Sequence, residues 1–215
     1  MTSSQTLPVS LDPQSYSRLA VVKEVYDTAL SQSVVNSPSA RMLAVINFDF
    51  CVETLLKLVF TTLRPNETVP WDFRDLVPKV HDAIHNSSGP GVPQQGQIRR
   101  THEIRNNVQH HADYPTPDQV DKIRLSTTLF TTETAQIVWN QDFESIDLLD
   151  AVNTSDVQRI LAQAKAELAQ PDRNTENVVA YCWRGLRRML GLAKPMIVGY
   201  SPPTDRRIVV TDSFS

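Results

Sequence analysis

Apolar residues recur along this chain at intervals of three and four over long stretches, and only six glycines interrupt them. That 3.6-residue period predicts an all-α protein. The pattern first takes hold after Asp12-Pro13, in PQSYSRLAVVKEVYDTALSQSV, with proline at its favoured first helical position. Ser37-Pro38 opens the next helix in the same way. Its sequence, SARMLAVINFDFCVETLLKLVFTTL, is the most hydrophobic in the chain and stops before Pro65. A helix that is apolar over most of its surface belongs at the centre of a bundle. WDFRDLVPKVHDAIHNSS reads as a shorter helix that Pro78 kinks or restricts to two turns. SSGPGVPQQGQ, rich in glycine and proline, reads as a loop. Helical spacing resumes over 98–112, with Ile104 and Val108 one turn apart. Thr116 then caps, and Pro117 starts, the threonine-rich helix DQVDKIRLSTTLFTTETAQIVW. After the short piece ESIDLLDAV comes a helical hairpin: Thr154 or Ser155 starts one arm, QPDRNT turns, and Gly191 ends the other. The expected organisation is a helical bundle over 1–150, a hairpin over 151–193 packed on it, and an extended or flexible tail over 194–215.

Composition narrows the class. A chain of 215 residues holds one sizeable core, or a core and a small appendage. The formal charge of −3 does not advertise nucleic-acid binding, so any basic surface must be local. Cys51 and Cys182 sit inside apolar helical patterns and read as small buried hydrophobes. They form no disulfide framework and have no metal-ligand spacing, which fits a reducing cytoplasm. The N-terminus has no basic region followed by an apolar run, so no signal peptide is expected. No stretch reaches the ~18 uncharged apolar residues of a membrane span. A cytoplasmic protein with no membrane partner is expected.

The polar outlier is IRRTHEIRNNVQHHADYP, residues 98–115. On a helix, Ile104, Val108 and His111 share one side, and Glu103, Asn106 and His110 share another, turned to solvent or a partner. Arg105 lies about 140° from His110 around the axis. His110 and His111 are about 100° apart and lack the three- or four-residue spacing of helical zinc ligands. No Gly-rich phosphate loop, G-x-S-x-G elbow or paired catalytic carboxylate motif appears, and neither a metal nor a cofactor is expected. Such a cluster near a helix end also serves as plain solvation and dipole matching. A second signal lies on the stripe Met42, Ile46, Asp49, Glu53, Leu56, Phe60, where two carboxylates interrupt a buried-looking face. Unpaired buried carboxylates are expensive, so a cation is expected beside them. Arg105 is one candidate, and a local Glu53–Lys57 pair one turn apart is the other.

RNNVQH, Arg105 to His110, resembles the R-x4-6-H signature of the HEPN superfamily, in which a polar residue such as Asn106 commonly follows the arginine. VINFDFCVETLLKLVF looks like the long HEPN helix that precedes the motif, and IRNNVQHHADYPT resembles a motif helix that ends at a small residue near a proline. The likeness covers about residues 38–140, and the C-terminal hairpin resembles a HEPN-associated extension less specifically.

This resemblance implies an all-α, HEPN-like helical bundle that forms a homodimer with its two motifs facing each other across a cleft. It implies a metal-independent endoribonuclease of a toxin–antitoxin or anti-phage defence system, or a non-catalytic module that binds RNA, nucleotide or a partner protein. In the first case Arg105 neutralises the crowded phosphorane and His110 moves protons, because imidazole titrates near neutrality. Asn106 orients the imidazole or bonds a nonbridging oxygen. Asp49, Glu53, Asn107 and His111 support them, with His111 expected to be packed and hydrogen-bonded. Arg99, Arg100 and His102 add positive potential for an RNA backbone, and Arg184, Arg187 and Arg188 form a second basic group or simply favour a helix C-terminus. Partners would be an RNA substrate, a second copy, and an antitoxin or defence-complex protein. Trp71, Trp139 and Trp183 read as core or interface anchors.

Overall fold

The computed structural model describes residues 6–151, 155–171 and 174–189. All regular structure among them is helical: α1 Pro13–Ser33, α2 Pro38–Leu63, α3 Phe73–Asn86, α4 Gln95–His111, α5 Pro117–Trp139, α6 Ser155–Leu168 and α7 Thr175–Met189. Two 3-10 turns, Phe143–Ser145 and Leu148–Ala151, replace the short piece after α5. The protein is all-α. It divides into two compact units, Met1–Ala151 and Val152–Ser215.

The helix starts follow from local chemistry. Asp12 accepts from the backbone N–H groups of Gln14 and Ser15 at 2.9 and 3.0 Å, with Pro13 behind it. Ser37 accepts from Ala40 N, and Thr116 forms a reciprocal capping box with Gln119. Each device satisfies orphan donors of the first turn and is written in a few adjacent residues.

In the first unit α1 and α2 pack along each other, and α2 also touches α3, α4 and α5. That position explains its composition. Val45, Phe48, Val52, Leu55, Leu56 and Val59 are all buried, on several sides of one helix. Each such side chain contributes about 1.5–3 kcal/mol on burial. Tyr26 of α1 packs edge-on against both Phe48 and Phe143, and its hydroxyl bonds Thr128 of α5 at 2.7 Å.

Three expectations shift here. Pro78 does not restrict α3 to two turns: the helix runs for 14 residues. The carbonyl that Pro78 leaves without a donor belongs to Arg74, on the exposed side, while Phe73, Leu76, Val77, Val80 and Ile84 are buried. α4 starts three residues ahead of the expected 98, so Gly96 belongs to the helix, not to the loop. Trp71 is no core anchor, being 96% exposed, whereas Trp139 is buried.

The second unit contains α6 and α7, which pack along each other as a hairpin. Asn174 caps α7 by accepting from Glu176 N and Asn177 N at 3.0 and 3.3 Å. Cys182 is exposed, which corrects its assignment as a buried hydrophobe, and Cys51 is buried. Trp183 is partly exposed, and Arg184 lies over the Tyr181 ring, 5.7 Å from its centroid. Gly191, the tail over 194–215 and the side chains of Arg187 and Arg188 lie outside the described residues.

Candidate functional site

The site is built where α4 crosses α2. α4 buries Ile98, Thr101 and Val108. These positions, with Arg105 between them, follow steps of three, four and three and form one stripe. Arg105 thus stands in the middle of the docked face, with its side chain 22% exposed. The opposing stripe on α2 places Asp49 and Glu53 at the same level, and Asp49 is completely buried. A buried carboxylate demands donors, and a guanidinium on a long stem supplies them.

The contacts are specific. Arg105 Nε donates to Asp49 Oδ2 at 2.8 Å. One terminal nitrogen donates to Asn106 Oδ1 at 2.9 Å, and the other lies 3.6 Å from Glu53 Oε2. Glu53 also receives Lys57 Nζ at 2.5 Å. Both cations weighed as partners for the α2 carboxylates are therefore present. Two of the five N–H donors of the guanidinium are hydrogen-bonded to Asp49 and Asn106, and the others have no hydrogen-bond partner among the described residues.

His102, one turn ahead of Arg105, completes the group. Its Nδ1 lies 3.1 Å from each oxygen of Asp49, and its ring stacks on Phe73 at a centroid distance of 4.1 Å and an angle of 5°. An ionised carboxylate only accepts, so a hydrogen bond from the ring to such a carboxylate requires the tautomer with its proton on Nδ1. Asp49, Glu53 and His102 offer oxygen and nitrogen atoms within 4.8 Å of one another, a spacing open to a cation. The guanidinium already stands among them and supplies the positive charge that the carboxylates require.

The remaining candidates are dispersed. His110 and His111, in the last turn of α4, are both exposed, and no hydrogen bond holds either ring among the described residues. His111 is therefore not the packed, hydrogen-bonded histidine expected. Within one chain, Arg105 faces α2 and His110 faces away, so their side chains do not converge. The Asn106 amide oxygen holds Arg105, and within the chain no hydrogen bond joins Asn106 to His110 among the described residues. Asn107 is exposed, and its backbone carbonyl accepts from Ala112 N to close the helix. Arg99 and Arg100 are exposed, Arg100 pairing with Glu103 at 2.9 Å. His102, grouped with them for RNA contact, is instead turned inward onto Asp49.

Sequence reasoning missed the contact of His102 with Asp49. A usable signal existed: an arginine at the centre of the Ile98–Thr101–Arg105–Val108 stripe, facing a carboxylate-bearing stripe on another helix. Compared with known protein families, curated proteins and solved structures, the chain has no match.

Proposed function

We propose that this protein is a metal-independent endoribonuclease of HEPN type that acts as a homodimer, with Arg105 binding the scissile phosphate. The observation that supports this most is the anchored guanidinium. Hydrogen bonds to Asp49 and Asn106 fix its plane, Glu53 lies at ion-pair distance, and the N–H donors left unbonded can serve a phosphate. A donor set in place beforehand stabilises a phosphorane without reorganising during the reaction. Arg105 and His110 diverge on one helix, so the His110 that serves a given Arg105 comes from the second copy. Cleavage joins the 2′ oxygen to phosphorus and releases the 5′ oxygen, giving a 2′,3′-cyclic phosphate.

The test is cleavage of RNA by purified protein in EDTA. Wild type should cut. Arg105→Lys, which keeps the charge but loses the fork, and His110→Ala should each abolish cutting while the circular dichroism spectrum stays unchanged. Intact RNA after incubation with wild type, or equal cutting by all three proteins, removes the proposal.

A second reading is a non-catalytic module that binds RNA, nucleotide or a partner protein in a defence complex. The divergence of Arg105 and His110, together with the net charge of −3, favours it. RNA or nucleotide retained without cleavage, and lost in Arg105→Lys, would establish that reading.

A further inference from the structure

We propose that His102, held by Asp49, is the imidazole that takes the 2′-OH proton beside Arg105, forming a carboxylate–histidine dyad within a single chain. This rests on the ribonuclease reading and assigns to His102 a role different from backbone attraction. Three observations carry it. Asp49 is fully buried, and both of its oxygens face Nδ1 of His102 at 3.1 Å, which directs the proton to Nδ1 and leaves the lone pair on Nε2. The ring is fixed in a second dimension by the parallel Phe73 ring at 4.1 Å. Nε2 has no partner among the described residues and is not enclosed, in a side chain that is 19% exposed. A buried carboxylate, an oriented imidazole and an open second nitrogen are the parts of a general base with its orienting group.

The relation to Arg105 gives this pair its use. His102 and Arg105 are one turn apart on α4 and both rest on Asp49, with Nε of Arg105 2.8 Å from Oδ2. The imidazole and the guanidinium are thus held side by side on one buried carboxylate. Among the described residues His110 has no orienting group, and it lies on the other side of the helix. Among the described residues, the ion pairs that connect to His102 run through Asp49 to Arg105 and Glu53, with Lys57 beyond Glu53.

In the step itself, Nε2 of His102 accepts the 2′-OH proton as the 2′ oxygen bonds to phosphorus. The P–O5′ bond breaks, and the 5′ oxygen takes a proton from the His110 imidazolium of the second copy. Asp49 stays ionised and opposes the charge that forms on the ring. Asp49 is a positioning residue for both His102 and Arg105.

The experiment compares full-length wild type, His102→Gln, Asp49→Asn and His110→Ala in RNA cleavage over a range of pH. His102→Gln should lower kcat by at least about 100-fold with KM within about twofold, and should remove the acidic limb of the pH profile. Asp49→Asn should lower kcat and displace that limb. A His102→Gln protein with wild-type kcat and an unchanged profile overturns the dyad while leaving the ribonuclease reading in place. If wild type cuts no RNA, the ribonuclease reading and the catalytic role of His102 fall together. The dyad geometry is read separately from imidazole nitrogen NMR of the protein alone. His102 should occupy the Nδ1-protonated tautomer in wild type and lose that preference in Asp49→Asn. An Nε2-protonated ring in wild type overturns the arrangement.

Discussion

Arg105 reaches across from α4 to α2 and donates from Nε to Oδ2 of Asp49 at 2.8 Å, although that carboxylate has no contact with solvent. The arginine of the R-x4-H stretch is therefore a structural anchor as well as a candidate ligand, and the two properties must be separated in any mutant.

Removing the arginine should destabilise the fold. Arg105→Ala leaves the Asp49 carboxylate buried with His102 as its only side-chain donor among the described residues, and we expect a loss of about 3 kcal/mol in urea denaturation. A double-mutant cycle with Asp49→Asn should give a coupling of at least about 1 kcal/mol. Lys57→Ala, which breaks the more exposed pair with Glu53, should cost under about 1 kcal/mol. Equal effects of Arg105→Ala and Lys57→Ala would contradict the burial argument.

The two cysteines should differ in reactivity. Cys51 is fully buried, donates to the Val22 carbonyl at 3.3 Å, and has its thiol pKa pushed far up by burial. Cys182 is exposed. Iodoacetamide at neutral pH should label Cys182 alone, and Cys51 only after denaturation, because the thiolate is the reacting form. Mass spectrometry of the native protein finding Cys51 modified as fast as Cys182 would be the opposing result.

The α1 cap carries a defined pH dependence. Hydrogen bonds from Ser15, side chain first and then backbone, hold the Asp12 carboxyl below its ordinary value of 3.8. A lowered folded pKa means that the cap's contribution is complete above that ordinary value and is lost as the pH falls through the lower folded one. Asp12→Ala should cost about 1 kcal/mol at pH 7. Asp12→Asn should keep most of the cap and flatten this acidic dependence, which thermal melts between pH 2 and pH 6 would register.

Gly91 should resist substitution. Its φ is +94°, and a Cβ there would fall on the His81 ring, whose Nδ1 accepts from the neighbouring Val92 N–H at 3.2 Å. Gly91→Ala should destabilise by about 2 kcal/mol, from the left-handed backbone and the displaced ring together. His81→Ala in that background would remove the clash and leave the backbone strain, so only part of the loss should return. An unchanged urea midpoint for Gly91→Ala would refute this.

By itself the sequence determined the helices of this protein and several of their ends. Asp12-Pro13, Ser37-Pro38 and Thr116-Pro117 act on donors within three residues, and the apolar run of α2 declares its burial without reference to any partner. It also marked Asp49 and Glu53 as carboxylates in need of a cation. The tertiary structure alone decided which face of α4 is docked. That helix has few apolar residues, so a rotation that favours Ile104, Val108 and His111 fits the pattern nearly as well as the one observed. What selects between them is a buried charge on α2, some fifty positions away in sequence, that draws Arg105 and His102 inward and leaves His110 in water. Periodicity reports how apolar surface is hidden, whereas the pairing of buried charges depends on which helices meet and at what height.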